Sequence, residues 1–487
     1  MEYEHQLSNL IYDYLLNRFR FGYYQYGDSL PTVDVFCRLF NVSAHPIWTA
    51  LRRLRADGYI DMKNGRISKV IYKQTEQERR DVVIDYFSQR WTSYLDIYRT
   101  SKWFYVPFMI EGFRRMDEKD ISYITQLVER ADADDVILLY SFTMQKVRNS
   151  LLMNLYWETS LFLGYPFAKS GFRPYGYDPE LGRQQLRHLV QLVKEGSWDN
   201  VRSILLHHQK SVMDRLIVNM EPLIRRIPDQ EQISFVWRIY NGHPQVCYDL
   251  SYRLLHEMYM GEYRNKEFLP SYEKMAERFG VSVSTARRTI SMLNRIGAAE
   301  SINGKGTRIL STGECSSPDF TSPVIRRNLS YLVQSLELLI HTCEEVSYHF
   351  FEHLLPEERE DLISRFEENR CFGRGRLSID TYLYYISRYS RIQVVRQIYG
   401  TVYGLFLWGY PLRISRGAES AMIQRGVDFT ASMIQFMKEN KTEQCVAAVK
   451  TYIQEEQPYG IHYLEQHGIA EEELRNSAPI RLLIAGE

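Results

Sequence analysis

Three small hydroxyl side chains and two arginines fall within one short run, Ser282, Ser284, Thr285, Arg287 and Arg288. These residue types make hydrogen bonds rather than break covalent ones. Hydroxyls reach phosphate oxygens and base edges, and the planar arginine fork matches the paired O6 and N7 acceptors of guanine. Such contacts need a rigid carrier, buried on one side and open on the other. Ala286, Ile290 and Leu293 recur at i, i+4 and i+7, which turns all three toward a core if the segment is helical. Ser282 then stands at the N-cap. Val283, Ser284, Thr285, Arg287 and Arg288 occupy the exposed face near the N-terminal end, the part of a recognition helix that meets the major groove.

The flanking sequence predicts the elements that hold this carrier. "YDLSYRLLHEMYMGEY" places Leu250, Leu254, Leu255 and Met258 on one face of a first helix. "LPSYEKMAERFG" predicts a second, with Ser271 near its start and Met275, Ala276 and Phe279 facing inward. Gly280 suits the left-handed turn of a tight helix-turn-helix. After the third helix, "AAESINGKGTRIL" reads as two short strands around Asn303-Gly304, a hairpin signal. That is a β-wing, and it puts Lys305 and Arg308, with Gly306 and Thr307 between them, within reach of phosphate.

The same skeleton occurs earlier in the chain at an offset of 239 residues. Pro31 aligns with Pro270, Phe40 with Phe279, Ser43 with Ser282, Leu54 with Leu293 and Gly58 with Gly297. Further on, "LFLGYP" (161–166) recurs as "LFLWGYP" (405–411), and "QLVKEGSWDNVRSIL" (191–205) as "QFMKENKTEQCVAAV" (435–449), with the offset drifting to about 244. Similar segments in the same order indicate a duplicated unit of about 240 residues. The first copy keeps its interior: Cys37 replaces Ala276, Asn41 replaces Gly280, Ile47 replaces Ala286 and Leu51 replaces Ile290. Its exposed face differs. Ala44, His45, Pro46 and Trp48 stand where Val283, Ser284, Thr285 and Arg287 stand. Tryptophan cannot make the bidentate contact to guanine. Yet Ser43, Arg52, Arg53 and Arg55, with Arg66 and Lys69 in the wing, keep backbone binding open with a different or weaker base readout. The other reading packs Trp48 against the neighbouring helical domain.

The expected fold is mainly α. Two winged helix-turn-helix domains (1–75 and 244–312) alternate with two all-α bundles (76–230 and 313–487), and the junction between copies lies within 225–244. "LFLGYP" reads as a helix end, with glycine as the left-handed cap and proline forbidding continuation. Net charge is zero, but residues 5–73 carry +5 and residues 244–311 carry +3, so basic charge is concentrated where phosphate contacts are expected. No apolar run is long enough for a membrane span. The acidic opening "MEYEHQLSNL" lacks a signal-peptide core. The six cysteines are scattered without CxxC, as in reduced, buried thiols of a cytoplasmic protein with neither disulfide framework nor zinc site. HExxH, GxSxG, Walker and Rossmann motifs are absent, so no catalytic residue or cofactor is expected and the chain does not read as an enzyme.

"LPSYEKMAERFGVSVSTARRTISML" followed by "GKGTRI" resembles the winged helix-turn-helix of GntR-type bacterial transcription regulators over about 65 residues. The helical part, through "FTMQKVRNSLLMNLY" and "LVKEGSWDNVRSILLHH", resembles the effector-sensing domains of the fatty-acid-responsive (FCD) branch. The first resemblance implies a transcription regulator acting on a double-stranded operator. Two departures stand out: Val283 replaces the arginine usual after the capping serine, and Glu273 replaces an arginine expected on phosphate, while the later arginine is kept as Arg287. The second resemblance implies a metal held by a carboxylate and histidines. Val136, Tyr140, Leu186 and His208 fall on those positions, with Thr430 and Tyr452 matching the last two in the second copy. One ligand of four does not hold a metal tightly, so none is expected and His208 reads as an ordinary, partly exposed histidine.

Tyrosine is abundant, 36 in all, and clusters in "DTYLYYISRYSRIQVVRQIYGTVYGLFLWGYP". Those rings either line a cavity for a small organic effector or form packed core. The expected partners are operator DNA and a small-molecule effector, with assembly as the other role open to the helical domains. The chain is either a pseudo-dimer of its own two copies or a homodimer. The competing class is a winged-helix interaction protein that docks on other regulators without sensing an effector.

Overall fold

The computed structural model describes residues 2–40, 42–62, 67–130, 133–164, 179–239, 245–310, 318–415 and 420–475. The expectations for Asn41 and Arg66, and for the side chain of Val136, lie outside the described residues. Backbone contacts divide the chain into two units, Met1–His243 and Pro244–Ser477. Among the described residues the structure is mainly helical, with two small two-stranded sheets.

The first unit opens with α1 (Glu2–Arg20), α2 (Val33–Phe40) and α3 (Ala44–Ala56), then antiparallel β1 (Ile60–Asp61) and β2 (Lys69–Val70). Its bundle consists of α4 (Glu76–Ser88), α5 (Trp91–Phe104), α6 (Val106–Arg114), α7 (Glu118–Arg130), α8 (Ala133–Gln145), α9 (Ser150–Phe162), α10 (Pro179–Lys194) and α11 (Trp198–Met220). The second unit opens with α12 (Gln245–Tyr259), α13 (Tyr272–Phe279) and α14 (Val283–Arg295), then β3 (Ala299–Ile302) and β4 (Gly306–Ile309). Its bundle holds α15 (Pro323–Glu352), α16 (Pro356–Cys371), α17 (Ser378–Tyr389), α18 (Gln393–Ser415), α19 (Ser420–Lys438), α20 (Thr442–Gln466) and α21 (Glu471–Arg475).

The repeat holds in three dimensions. Ile11, Leu15 and Phe19 are buried in the first head where Leu250, Leu254 and Met258 are buried in the second, each pair 239 residues apart. Ile60 faces Val70 in one wing and Ala299 faces Ile309 in the other, the same register at the same offset. In the bundles, Gly196 (φ 66°) and Asn440 (φ 54°) take the left-handed position that ends a helix. The next amides, of Ser197 and Lys441, close back onto the carbonyls of Leu192 and Phe436.

Two expectations need correction. Phe279 does not face fully inward as its counterpart Phe40 does; it is half-buried, with the guanidinium groups of Arg253 and Arg278 at 4.8 and 5.5 Å from its ring centroid. "LFLGYP" ends α9, with Gly164 at φ 75°, but "LFLWGYP" lies inside α18, which runs through Gly409 and Pro411. Gly409 serves there as a close-approach residue: a Cβ would meet Leu332 Cδ2 of α15 at 2.3 Å. Over residues 224–239 the chain breaks helical periodicity as expected, yet it is strapped to the first bundle.

The strap is held by specific bonds. The Ile233 amide donates to the Gln89 carbonyl at 2.6 Å, the Phe235 amide to Ser93 Oγ at 3.1 Å, and Trp237 Nε1 to Asn154 Oδ1 at 2.7 Å. Arg225 pairs with Asp81 and Asp85. Phe235 and Trp237 are buried while Val236 between them is 43% exposed, the alternation of an extended chain lying on a surface. Phe235→Ala should therefore cost the first unit about 3–5 kcal/mol. Val236→Ala should stay within about 0.5 kcal/mol. Denaturant unfolding of the two variants checks this, and equal shifts would show that the strap contributes nothing.

Candidate nucleic-acid interface

In the second unit, Gly280 (φ 65°, ψ 37°) turns the chain between α13 and α14. Ser282 follows in an extended conformation, and its Oγ accepts the Thr285 amide at 3.1 Å. The same oxygen lies 2.8 Å from Ser284 Oγ and from Thr285 Oγ1, so three hydroxyls gather over the first turn of α14. Ala286, Ile290 and Leu293 are fully buried beneath it. Thr289 is also buried, and its hydroxyl donates to the Thr285 carbonyl of its own helix at 2.9 Å, with the Cys247 carbonyl of α12 at 3.3 Å. On the outer side Ser284, Arg287 and Arg288 are exposed, with Val283 and Thr285 half-buried.

Among the described residues neither Arg287 nor Arg288 forms an ion pair. The Arg287 guanidinium lies 5.6 Å from the centroid of Tyr272, a neighbour that sequence reasoning missed because aromatic support shows no periodicity. Glu273 lies close by. Its carboxyl is held below the usual range by the hydrogen bond at its own amide, then by the Ser271 hydroxyl, with the charge of Arg287 as a smaller cause.

The wing divides its four candidates. Lys305 and Gly306 are exposed at the tip, where Gly304 (φ 78°) and Gly306 (φ 115°) take backbone angles that favour glycine. Thr307 does not face phosphate: it is buried, and its carbonyl accepts the Leu269 amide at 2.9 Å. Strand alternation puts it on the inner face. Arg308 is half-buried and pairs across the strands with Glu300 at 3.0 Å, so much of its charge is answered within the protein. Lys305 is left as the wing's open cation, with no ion pair among the described residues.

The first head has the same backbone and a different surface. Ser43 precedes α3 at φ −65°, ψ 165°, close to Ser282, yet makes no side-chain cap bond. The reason is covalent. The amide that Ser282 caps belongs to the third helical residue, and in α3 that residue is Pro46, which has no N–H. His45 and Trp48 are exposed, Trp48 by 42%, and among the described residues Trp48 makes no ring contact. Arg52 and Arg55 are exposed, as is Lys69 in β2. Arg53 is engaged inward: it donates to Asn9 Oδ1 at 3.1 Å and lies 3.8 Å over the ring of Tyr12, whose hydroxyl donates to Asp57 at 2.6 Å.

Two of the positions matched to metal ligands come near each other in the first bundle. Tyr140 and His208 meet edge-on with centroids 6.3 Å apart, and His208 Nδ1 lies 3.0 Å from Gln185 Oε1. Burial pushes the His208 imidazole down to about 4, so it is neutral near pH 7 and more enclosed than an ordinary surface histidine. Leu186 is core. In the second bundle, Thr430 bonds to Ser378 and the Gly426 carbonyl, and Tyr452 packs on Phe429. Among the described residues, no group of three His, Cys, Asp or Glu side chains is placed to hold a metal, and no helix is long and apolar enough to cross a membrane.

The family model of bacterial regulatory proteins of the gntR family matches the chain twice, at residues 7–70 and 250–309. Among solved structures, a Streptococcus agalactiae GntR protein is similar at 18% identity, covering 44% of this chain and 99% of that chain with a TM-score of 0.21. Another, described as Lar, which controls expression of the Listeria monocytogenes agr system and mediates virulence, is 17% identical and covers 44% of this chain and 96% of that chain with a TM-score of 0.23. No curated protein matches the sequence.

The two caps make a paired prediction. Ser282→Ala should destabilise the second head by about 1 kcal/mol, because it removes a cap bond that exists. Ser43→Ala should cost close to nothing, because Pro46 leaves no amide to cap. Chemical denaturation monitored in each unit distinguishes the two, and equal losses would refute the account.

Proposed function

Starting from a chain that carries the domain of the gntR family of bacterial regulatory proteins twice, we propose that it is a sequence-specific transcription regulator whose two heads divide the work. The second head reads bases, the first grips backbone, and the helical domains receive a small-molecule input. The observation that carries this reading is the state of α14: its inner side is fully buried while Ser284, Arg287 and Arg288 stand exposed on its first turns, beside the open Lys305 of the wing. Arginine on that face can take the O6 and N7 pair of a guanine. Lysine at a wing tip neutralises phosphate without reading sequence.

In the first head, the residue facing the groove at the position of Arg287 is Trp48. With His45, Arg52, Arg55 and Lys69 also exposed on this head, its surface favours backbone contact over base readout. A single chain then presents two unequal readers, and its operator is an imperfect palindrome. The exposed Trp48 also favours a second reading for this head alone, docking on another protein. Footprinting with light scattering on one sample separates them. One chain protecting two unequal half-sites supports the division of work. Protection by second heads alone, from two chains on a symmetric site, assigns the first head to assembly.

Selection from a random DNA pool with the purified chain yields the operator and tests the base reader. Arg287→Ala should lose roughly 1–3 kcal/mol on the selected site and relax preference at one position. Lys305→Ala should weaken all sequences alike and reduce the salt slope by about one. Unchanged affinity and preference in Arg287→Ala would remove that residue from the reading role.

A further inference from the structure

Within the second unit, a cavity of about 200 Å³ lies where the winged helix meets its own bundle. The head contributes His256, Tyr259 and Arg264, from the end of α12 and the turn after it. The head is fastened beside this cavity: His256 Nδ1 lies 2.7 Å from Tyr403 Oη, and Arg264 pairs with Glu368 of α16 at 2.7 Å. Any molecule held here touches both the head and the bundle.

The charges around the cavity do not balance. Glu368 is shared by Arg264 and by Arg365, the latter at 3.2 Å. Asp361 accepts the Tyr385 hydroxyl. The third guanidinium, Arg374, has only Asn265 Oδ1 at 3.4 Å and the Phe372 ring at 5.4 Å, and among the described residues no carboxylate lies within ion-pair distance of it. The cavity therefore keeps one positive charge unanswered. The rest of its wall is largely aromatic, with Met260, Asn369 and Thr381 among the rings. Tyr385 sits between Tyr384 and Tyr389, with ring centroids 6.0 and 5.2 Å away. Ring faces favour a flat, polarisable guest. The volume is below the roughly 300–1,000 Å³ of sites for drug-sized ligands, which suits a single ring.

We propose that this cavity binds a small aromatic carboxylate, its ring against the tyrosines and its carboxylate on Arg374, and that occupancy fixes the head to the bundle and so changes DNA affinity. A ligand that contacts both walls favours the arrangement in which they adjoin over any in which the head moves away. The regulatory half rests on the second head being a DNA reader; the binding half does not.

The test uses the full chain. Calorimetric titration with para-hydroxybenzoate, without DNA, should show saturable one-site binding. Acetate, which has no ring, and benzyl alcohol, which has no charge, should each bind about tenfold more weakly or worse. Arg374→Ala should weaken para-hydroxybenzoate by about tenfold, and Arg374→Lys should restore part of the loss, a factor of ten being about 1.4 kcal/mol. No saturable binding at millimolar concentration, equal binding of benzyl alcohol, or unchanged affinity in Arg374→Ala overturns the site. On the selected operator, para-hydroxybenzoate should shift DNA affinity by about 5–150-fold, the range of ordinary coupling, and Arg374→Ala should abolish the shift. Ligand binding with unchanged DNA affinity overturns the regulatory half alone. A chain that binds no DNA overturns the function proposed above while the calorimetric result still decides the site.

Discussion

A reading helix works only if one side of it cannot move. In this chain that condition is met by burial at i, i+4 and i+7: Ala286, Ile290 and Leu293 in α14, and Ile47, Leu51 and Leu54 in α3, all essentially sealed from solvent. Each large apolar side chain so buried contributes about 1.5–3 kcal/mol. The first copy holds more volume, Ile47 for Ala286, while Leu51 for Ile290 is a swap of equal size, and the seal is kept. Because the interior alone specifies the helix orientation, the outer face is free to vary, and in the two heads it has done so.

The outer faces differ by chemistry rather than by backbone. Around α14 the cap, the hydroxyl cluster and the exposed arginines all project from the first two turns, where helix amides also favour anions. Around α3 the proline removes one of those amides, Arg53 is drawn back onto Tyr12, and an indole stands where a guanidinium stood. The wings follow the same logic. Ion pairing inside β3 and β4 withdraws Arg308, which concentrates the open charge at Lys305. A charged residue reaches a partner only when its own fold has not already answered it.

Much of this was legible in the sequence, because it rests on short-range rules. The helix order, Gly280, the Ser282 cap and the hairpin at Asn303-Gly304 follow from local backbone preference, and the duplication follows from register. What escaped depends on long-range packing. Nothing local distinguishes Gly164, a helix end, from Gly409, which lies mid-helix against the Leu332 side chain of α15. Thr307 and Arg308 look equally exposed in a row of residues, and only strand pairing assigns one to the inner face and gives the other a partner. The tyrosine-rich stretch around Tyr384 was readable as core or as cavity lining; its rings prove to serve both, and the residues that complete the cavity come from a helix more than a hundred positions earlier. The strap at Phe235 and Trp237 reads locally as a linker, because its partners Gln89, Ser93 and Asn154 lie far back in the sequence.

Two heads written at separate places in one chain also set the size of a mutational step. When identical chains share a palindrome, a change in the reading helix enters at both half-sites, so a loss of about 1.4 kcal/mol at each becomes a hundredfold loss in affinity. If one chain occupies the operator as proposed, a change at Arg287 would be made once, and the same local loss would be tenfold. On that proposal the first head, unchanged at Trp48, would hold the chain on its site. Intermediates on the way to a new operator would then be weakened rather than lost, and the two half-sites would be free to drift apart in sequence one base at a time.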